Sequence, residues 1–153
     1  LKKYPLLEVT IEELTTEQVL KKIKDGNLDA GIAATPLDVD YLVERPLYYE
    51  PFVAYIPGNH LLSSKENIKV EDIDPDDVLL LQDGHCFRNQ VLNLCSFEDL
   101  NKQYELKSGS FETLINLSNN GPWMTIIPYL HSNNLSAKNL ENIIPFEEIK
   151  LSL

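Results

Sequence analysis

A chain of 153 residues with 43% hydrophobic content is long enough to bury a real core, as one domain or two small lobes. Its formal charge of −11 argues against a direct grip on nucleic acid, which needs clustered Lys and Arg, and no apolar run approaches a membrane span. Two cysteines are too few to frame a secreted domain, so a cytoplasmic thiol protein is the expected class.

The opening residues Leu1-Lys2-Lys3-Tyr4-Pro5 contain no secretory leader and read as the middle of a fold. Leu7, Val9 and Ile11 then alternate with Glu8, Thr10 and Glu12, the pattern of a half-buried strand. Thr15 followed by Gln18 forms a capping-box signature for a helix whose apolar face is Val19, Leu20 and Ile23. Lys21, Lys22 and Lys24 fall on that helix and read as a solvated face, and Gly26 is its stop. Residues 28–34 predict a second strand, so the segment is expected to be a right-handed strand-helix-strand unit with a parallel sheet. Thr35-Pro36 opens a loop, after which residues 41–49 and 52–56 read as extended segments separated by Glu50-Pro51. Pro57-Gly58-Asn59 has turn chemistry, and residues 63–77 form a polar connection with one helical turn, anchored by Val70 and Ile73.

The second half repeats the alternation. Residues 78–81 are an unbroken apolar run, read as a buried strand and stopped by the turn pair Asp83-Gly84. Phe87, Val91 and Leu94 recur at helical spacing, which predicts a helix over Cys86–Cys95. Tyr104, Leu106 and Ser108 suggest another strand, and Ser110 caps a helix carrying Leu114, Ile115 and Leu117, ended by Gly121-Pro122. Residues 123–127 form a buried strand stopped by Pro128. Residues 140–144, with Ile149, Leu151 and Leu153, supply the last strands.

This order predicts an α/β fold. Two lobes are expected: residues 1–49 as a partial first lobe and 50–147 as the second, with 148–153 returning toward the first. In such folds ligands sit in a crevice outside the strand carboxyl ends, and Cys86 follows such an end.

Segment 83–95 holds both cysteines. At a helix N-terminus Cys86 meets aligned peptide dipoles, and His85 and Arg88 add positive charge nearby. All three effects favour thiolate, the form that reacts with oxidants. Cys95, among Val91, Leu92 and Leu94 at the opposite dipole end, is expected to be the more buried and less reactive thiol. Nine helical steps place the two Cα atoms roughly 13 Å apart, whereas a disulfide needs them within about 7 Å. A bridge would therefore unwind this helix. Closing so short a loop favours the bridge by only about 3 kcal/mol through chain entropy, before strain, so it would be readily reduced. On these residues alone, two inert buried cysteines remain the simpler reading. A metal site with His60, His85 or His131 lacks short ligand spacing, and a permanent structural disulfide disagrees with the cytoplasmic reading and the spacing.

The run Asp83-Gly84-His85-Cys86-Phe87-Arg88-Asn89-Gln90, followed by Leu94-Cys95, resembles the redox segment of the OxyR family, the hydrogen-peroxide sensors among LysR-type transcriptional regulators. The resemblance extends through Gly26-Asn27-Leu28-Asp29-Ala30-Gly31-Ile32, Ser110-Phe111-Glu112-Thr113-Leu114 and residues 121–128, covering nearly the whole chain. It implies a two-lobed, periplasmic-binding-protein-like regulatory domain with mixed, mainly parallel sheets. It further implies that peroxide oxidises Cys86 to a sulfenic acid, which condenses with Cys95 into a disulfide. His85 and Arg88 match residues that position peroxide or stabilise the thiolate, Thr16 matches a threonine near the sensing pocket, and Gly84 would offer backbone groups to peroxide.

The partners implied are a homodimer, with a tetramer in the full-length protein, promoter DNA through an N-terminal winged helix-turn-helix, and RNA polymerase. Hydrogen peroxide would be the signal and cellular thiols the reductants. The outcome would be activation of antioxidant genes; no enzyme activity, cofactor or metal is expected. The winged helix-turn-helix, a first strand and helix of the first lobe and a C-terminal segment find no match here, and Gly121-Pro122-Trp123 replaces a turn of small residues. Two other readings compete. One is a LysR-type effector domain binding a small organic ligand in the crevice, with incidental cysteines. The other is a thiol peroxidase, for which no separate reductant site is evident.

Overall fold

A computed structural model describes residues 3–82, 84, 86–95 and 109–147, with Cys86, Ala137 and Lys138 given by their backbone alone. The expected strands at Tyr104–Ser108 and in residues 148–153 lie outside the described residues, as do Asp83 and His85.

Four short strands form one mixed sheet in the order β2-β3-β1-β4, with β1 Phe52–Tyr55, β2 Val78–Leu79, β3 Met124–Pro128 and β4 Ile143–Pro145. β1 runs antiparallel to β3, from Phe52 opposite Pro128 to Tyr55 opposite Thr125, and antiparallel to β4, where Ala54 faces Ile144. Among the described strands the parallel pair is β2 and β3, Val78 beside Met124. The expectation of a mainly parallel arrangement is thus corrected to a sheet in which antiparallel pairing predominates. The physical reason is local. A parallel pair needs a long crossover, which α2 (Cys86–Cys95) and α3 (Phe111–Asn120) supply between β2 and β3, whereas β1 is inserted between β3 and β4 and runs opposite to both. The hydroxyl of the fully buried Thr125 donates to the Leu79 carbonyl at 2.9 Å, a second tie between β3 and β2.

All four residues of β1 are buried, and alternate side chains serve opposite faces of the sheet. Phe52 and Ala54 join the larger core, with Leu81, Phe87, Val91, Leu114 and Met124. Val53 and Tyr55 join a smaller cluster with Ile115 and Ile127 on the other face. Tyr55 is buried yet polar at its tip. Its hydroxyl donates toward Asn119 Oδ1 (2.7 Å) and Asn139 Oδ1 (3.1 Å) and accepts from Asn142 Nδ2 (3.0 Å). The polar connection before β2 holds two 3₁₀ turns, Val70–Asp72 and Pro75–Asp77, where one helical turn was expected. After β3 two short helices, α4 (Tyr129–Ser132) and α5 (Ala137–Leu140), lead into β4. A Cβ at Gly121, the C-cap of α3, would strike the Trp123 ring, so the glycine is what lets the tryptophan fold back.

Before β1 the chain behaves differently. The capping box forms as expected: the Gln18 amide donates to Thr15 Oγ1 and the Thr15 amide to Gln18 Oε1, starting α1 at Thr16–Lys24. Gly26, at φ +72°, turns the chain out of that helix. The strands expected over residues 7–11 and 28–34 do not form, and residues 41–49 stay unpaired as well. Their alternation is a pattern for one wet and one dry face, but a strand also needs a ladder partner, and none lies beside these segments among the described residues. Leu7, Val9 and Ile11 are therefore exposed, Ile11 at 89%. Residues 28–34 instead lie against α1, where Gly31 leaves room for the Val19 side chain. Among the described residues no helix is long and apolar enough to cross a membrane.

Candidate functional site

The buried run 78–81 delivers the chain to Gly84, whose φ of +81° turns it into α2. A left-handed residue is inexpensive only for glycine, which explains why the turn ends on one. α2 then runs unbroken over the predicted bounds, Cys86–Cys95. Cys86 is its first residue, the first turn carries no acidic side chain, and Arg88 lies in that turn. An anion at Cys86 would therefore meet the helix's positive end without a competing carboxylate from its own turn. Arg88 is half-buried, and its Nη1 donates to the Leu81 carbonyl at 3.1 Å. The guanidinium thus links the helix start to the buried run that precedes it.

One face of α2 is buried through Phe87, Val91 and Cys95, spaced four residues apart. Leu94, expected on this face, is only half-buried. Cys95 is a free thiol, 7% exposed, and burial pushes its pKa up to about 11. Cys95 is thus buried as expected, and at neutral pH its sulfur is almost wholly the thiol.

A cleft of about 850 Å³ runs beside α2, bounded by Val19 and Ile23 of α1, by stretches of residues 29–50, and by Phe52, Phe87, Gln90 and His131. Phe87 and Gln90 bring the cysteine helix to its wall. Phe87 packs edge-on against Phe52 and Phe111, and Phe111 lies 5.0 Å from the His131 ring. On the same wall Glu50 Oε1 accepts from the Leu130 amide at 2.6 Å, while Glu50 Oε2 and His131 Nε2 are buried without a hydrogen-bond partner.

Of the residues singled out in the sequence, Gly84, Arg88 and both cysteines fall on one turn-helix unit. Thr16 opens α1 and is not among the residues lining the cleft. Phe52, Phe111 and Glu50 were not singled out as site residues, and His131 was weighed only as a metal ligand. Glu50 was read as a separator between extended segments, and aromatic rings look like ordinary core until their partners are known. Among the described residues no group of three or more metal-ligating side chains occurs.

The LysR substrate binding domain family matches residues 1–152. The hydrogen peroxide-inducible genes activator of Dickeya chrysanthemi and the DNA-binding transcriptional dual regulator OxyR of Escherichia coli K12 are each 31% identical over 127 residues. Each alignment covers 83% of this chain and 42% of the relative, so the chain spans less than half the length of these proteins. Among solved structures, OxyR from Porphyromonas gingivalis superposes with a TM-score of 0.82 at 31% identity, over 95% of this chain and 66% of that one. The reduced OxyR regulatory domain from Pseudomonas aeruginosa gives 0.79 at 31% identity, over 95% and 70%.

Proposed function

Since the chain belongs to the LysR substrate-binding domain family, we propose that it is the redox-sensing regulatory domain of an OxyR-like, peroxide-responsive transcription activator. In this reading the protein is a regulator and not an enzyme. The thiolate of Cys86 attacks one oxygen of hydrogen peroxide; the S–O bond forms, the O–O bond breaks, and the departing hydroxide takes a proton to leave as water. The sulfur, oxidised by two electrons, is now a sulfenic acid. Cys95 then attacks that sulfur, the S–S bond forms, the S–O bond breaks, and a second water leaves. Two cellular thiols return two electrons and reset the pair.

The observation that carries this reading is the unbroken α2 with a buried, free Cys95 at its far end. With roughly 13 Å between the Cα atoms, the bridge and this helix are mutually exclusive. The two chemical states thus require two backbones, which is what a switch needs. A thiol pushed to about 11 is a poor nucleophile until it leaves its pocket, so unwinding also activates Cys95. Arg88 and Gly84 shape the helix start, and His85 and Thr16 take the peroxide-positioning roles implied by the family. Residues 1–49 and 50–147 act as two lobes, with 148–153 returning to the first. Refolding of segment 83–95 alters a homodimer, or a tetramer in the full-length protein, and moves winged helices on promoter DNA where RNA polymerase is engaged. The setting is cytoplasmic.

Mass spectrometry after substoichiometric peroxide tests the proposal. A Cys86–Cys95 bridge is expected, and two intact thiols would sink it.

A second reading has its own observation. The 850 Å³ cleft is lined by Glu50 and His131, a carboxylate and an imidazole that suit a small organic effector carrying polar groups. Thermal-shift screening of metabolites with peroxide as control separates the two: stabilisation by a metabolite with no response to peroxide supports the effector domain.

A further inference from the structure

Phe87, in the first turn of α2, is 8% exposed and sits between two other rings. Its centroid lies 4.5 Å from that of Phe52 with the planes at 68°, and 5.1 Å from that of Phe111 at 88°. Both contacts are edge-to-face, the arrangement in which a ring's positive rim meets its neighbour's negative face. Neither partner belongs to the cysteine helix. Phe52 opens β1, which is paired on both sides, and Phe111 opens α3. The first turn of α2 is thus held from two independent elements, while Val91 and Cys95 bury the rest of the same face.

A Cys86–Cys95 bridge must shorten a Cα separation of roughly 13 Å to about 7 Å or less. Phe87 is the residue next to the attacking cysteine, so unwinding at that end moves its backbone and breaks the register that serves both ring contacts. We propose that Phe52, Phe87 and Phe111 are positioning residues that set the redox poise of the cysteine pair. Their mutual contacts exist only with the helix formed, so they stabilise the dithiol and leave the disulfide untouched. The inference rests on the peroxide-sensing reading and adds to it the residues that decide how oxidising the surroundings must be before the bridge persists.

The test equilibrates the protein in glutathione–glutathione disulfide buffers, where two glutathione thiols supply two electrons and two protons to the bridge and leave as glutathione disulfide. The fraction of free protein thiol is read by alkylation and mass. Phe52→Leu removes one ring pair, Phe111→Leu the other and Phe87→Leu both, each leaving an apolar side chain. Each lost pair is expected to shift the equilibrium toward the disulfide by roughly two- to tenfold. A tenfold change corresponds to a potential about 30 mV more negative for a two-electron couple. Phe87→Leu should shift by about the product of the two single changes. Ile127→Val, in the cluster on the opposite face, should lower the melting temperature without moving the equilibrium.

Should Phe87→Leu fail to fold, Phe52→Leu and Phe111→Leu carry the test by themselves. Unchanged equilibria in those two variants, a shift toward the dithiol, or an equal shift in Ile127→Val overturns the inference. A parent protein that forms no bridge at all removes the peroxide-sensing reading instead, so the two failures are distinguishable.

Discussion

The guanidinium of Arg88 donates to the carbonyl oxygen of Leu81 at 3.1 Å, across the turn that separates the buried strand from the cysteine helix. The contact anchors the helix start on the buried run 78–81, in which Leu81 is only 2% exposed. A half-buried hydrogen bond from a charged donor contributes about 1.5–3 kcal/mol. Arg88→Ala is expected to cost that much in urea unfolding and to slow peroxide oxidation of Cys86. Arg88→Gln, which keeps a donor but not the charge, should recover part of the stability and little of the rate. Full recovery of both by Gln would show that the charge has no role.

The two cysteines are expected to fail in different ways. Cys86→Ser should abolish peroxide consumption by the protein. Cys95→Ser should consume about one equivalent and stop at a sulfenic acid, which a dimedone adduct detected by mass would reveal. Continued turnover of peroxide by the parent in the presence of a thiol, at a rate set by the thiol, would favour the peroxidase reading.

The buried Cys95 also predicts a pH dependence. Its folded pKa of about 11 lies above the ordinary value of 9.0, because burial disfavours the thiolate. A group shifted in this direction binds its proton more tightly in the folded state, so it stabilises fully below its unfolded pKa. That contribution is lost as pH rises through the folded value. Stability should therefore decline between about pH 9 and 11, and Cys95→Ala should flatten that decline in urea melts across the window.

Gly84 offers a purely backbone test. A Cβ built there meets nothing within 4 Å, so Gly84→Ala adds no clash, yet φ is +81°. The cost should be about 1–2 kcal/mol, the usual penalty for a left-handed non-glycine residue. A variant as stable as the parent would mean that the turn relaxes to another conformation.

The helix of the site was legible because its signals are local. A strand, a turn pair and apolar residues at helical spacing lie within a few residues of one another, and α2 falls on the predicted bounds. The same holds for the capping box at Thr15 and the ends of α3. What failed was non-local. Leu7, Val9 and Ile11 have a faultless strand pattern, but pattern cannot supply the partner that turns an extended segment into a strand. The antiparallel placement of β1 between β3 and β4 has the same character, since it joins residues near 54, 126 and 144. The aromatic contacts of Phe87 depend on that placement, which is why Phe52 and Phe111 could not be read in advance.

β1 is hydrogen-bonded along both edges, whereas α2 is held to the rest by side chains alone where its contacts are described. The two therefore differ in how they open. Releasing α2 sacrifices one helix and the core contacts of Phe87, Val91 and Cys95, while releasing β1 sacrifices two ladders and leaves only β2 paired with β3. Amide protons of residues 88–95 should accordingly exchange with solvent through a partial opening, well before those of Val53 and Tyr55. In the proposed switch, the cysteine helix would then refold on a sheet that stays intact, and the domain would cycle without passing through its unfolded state.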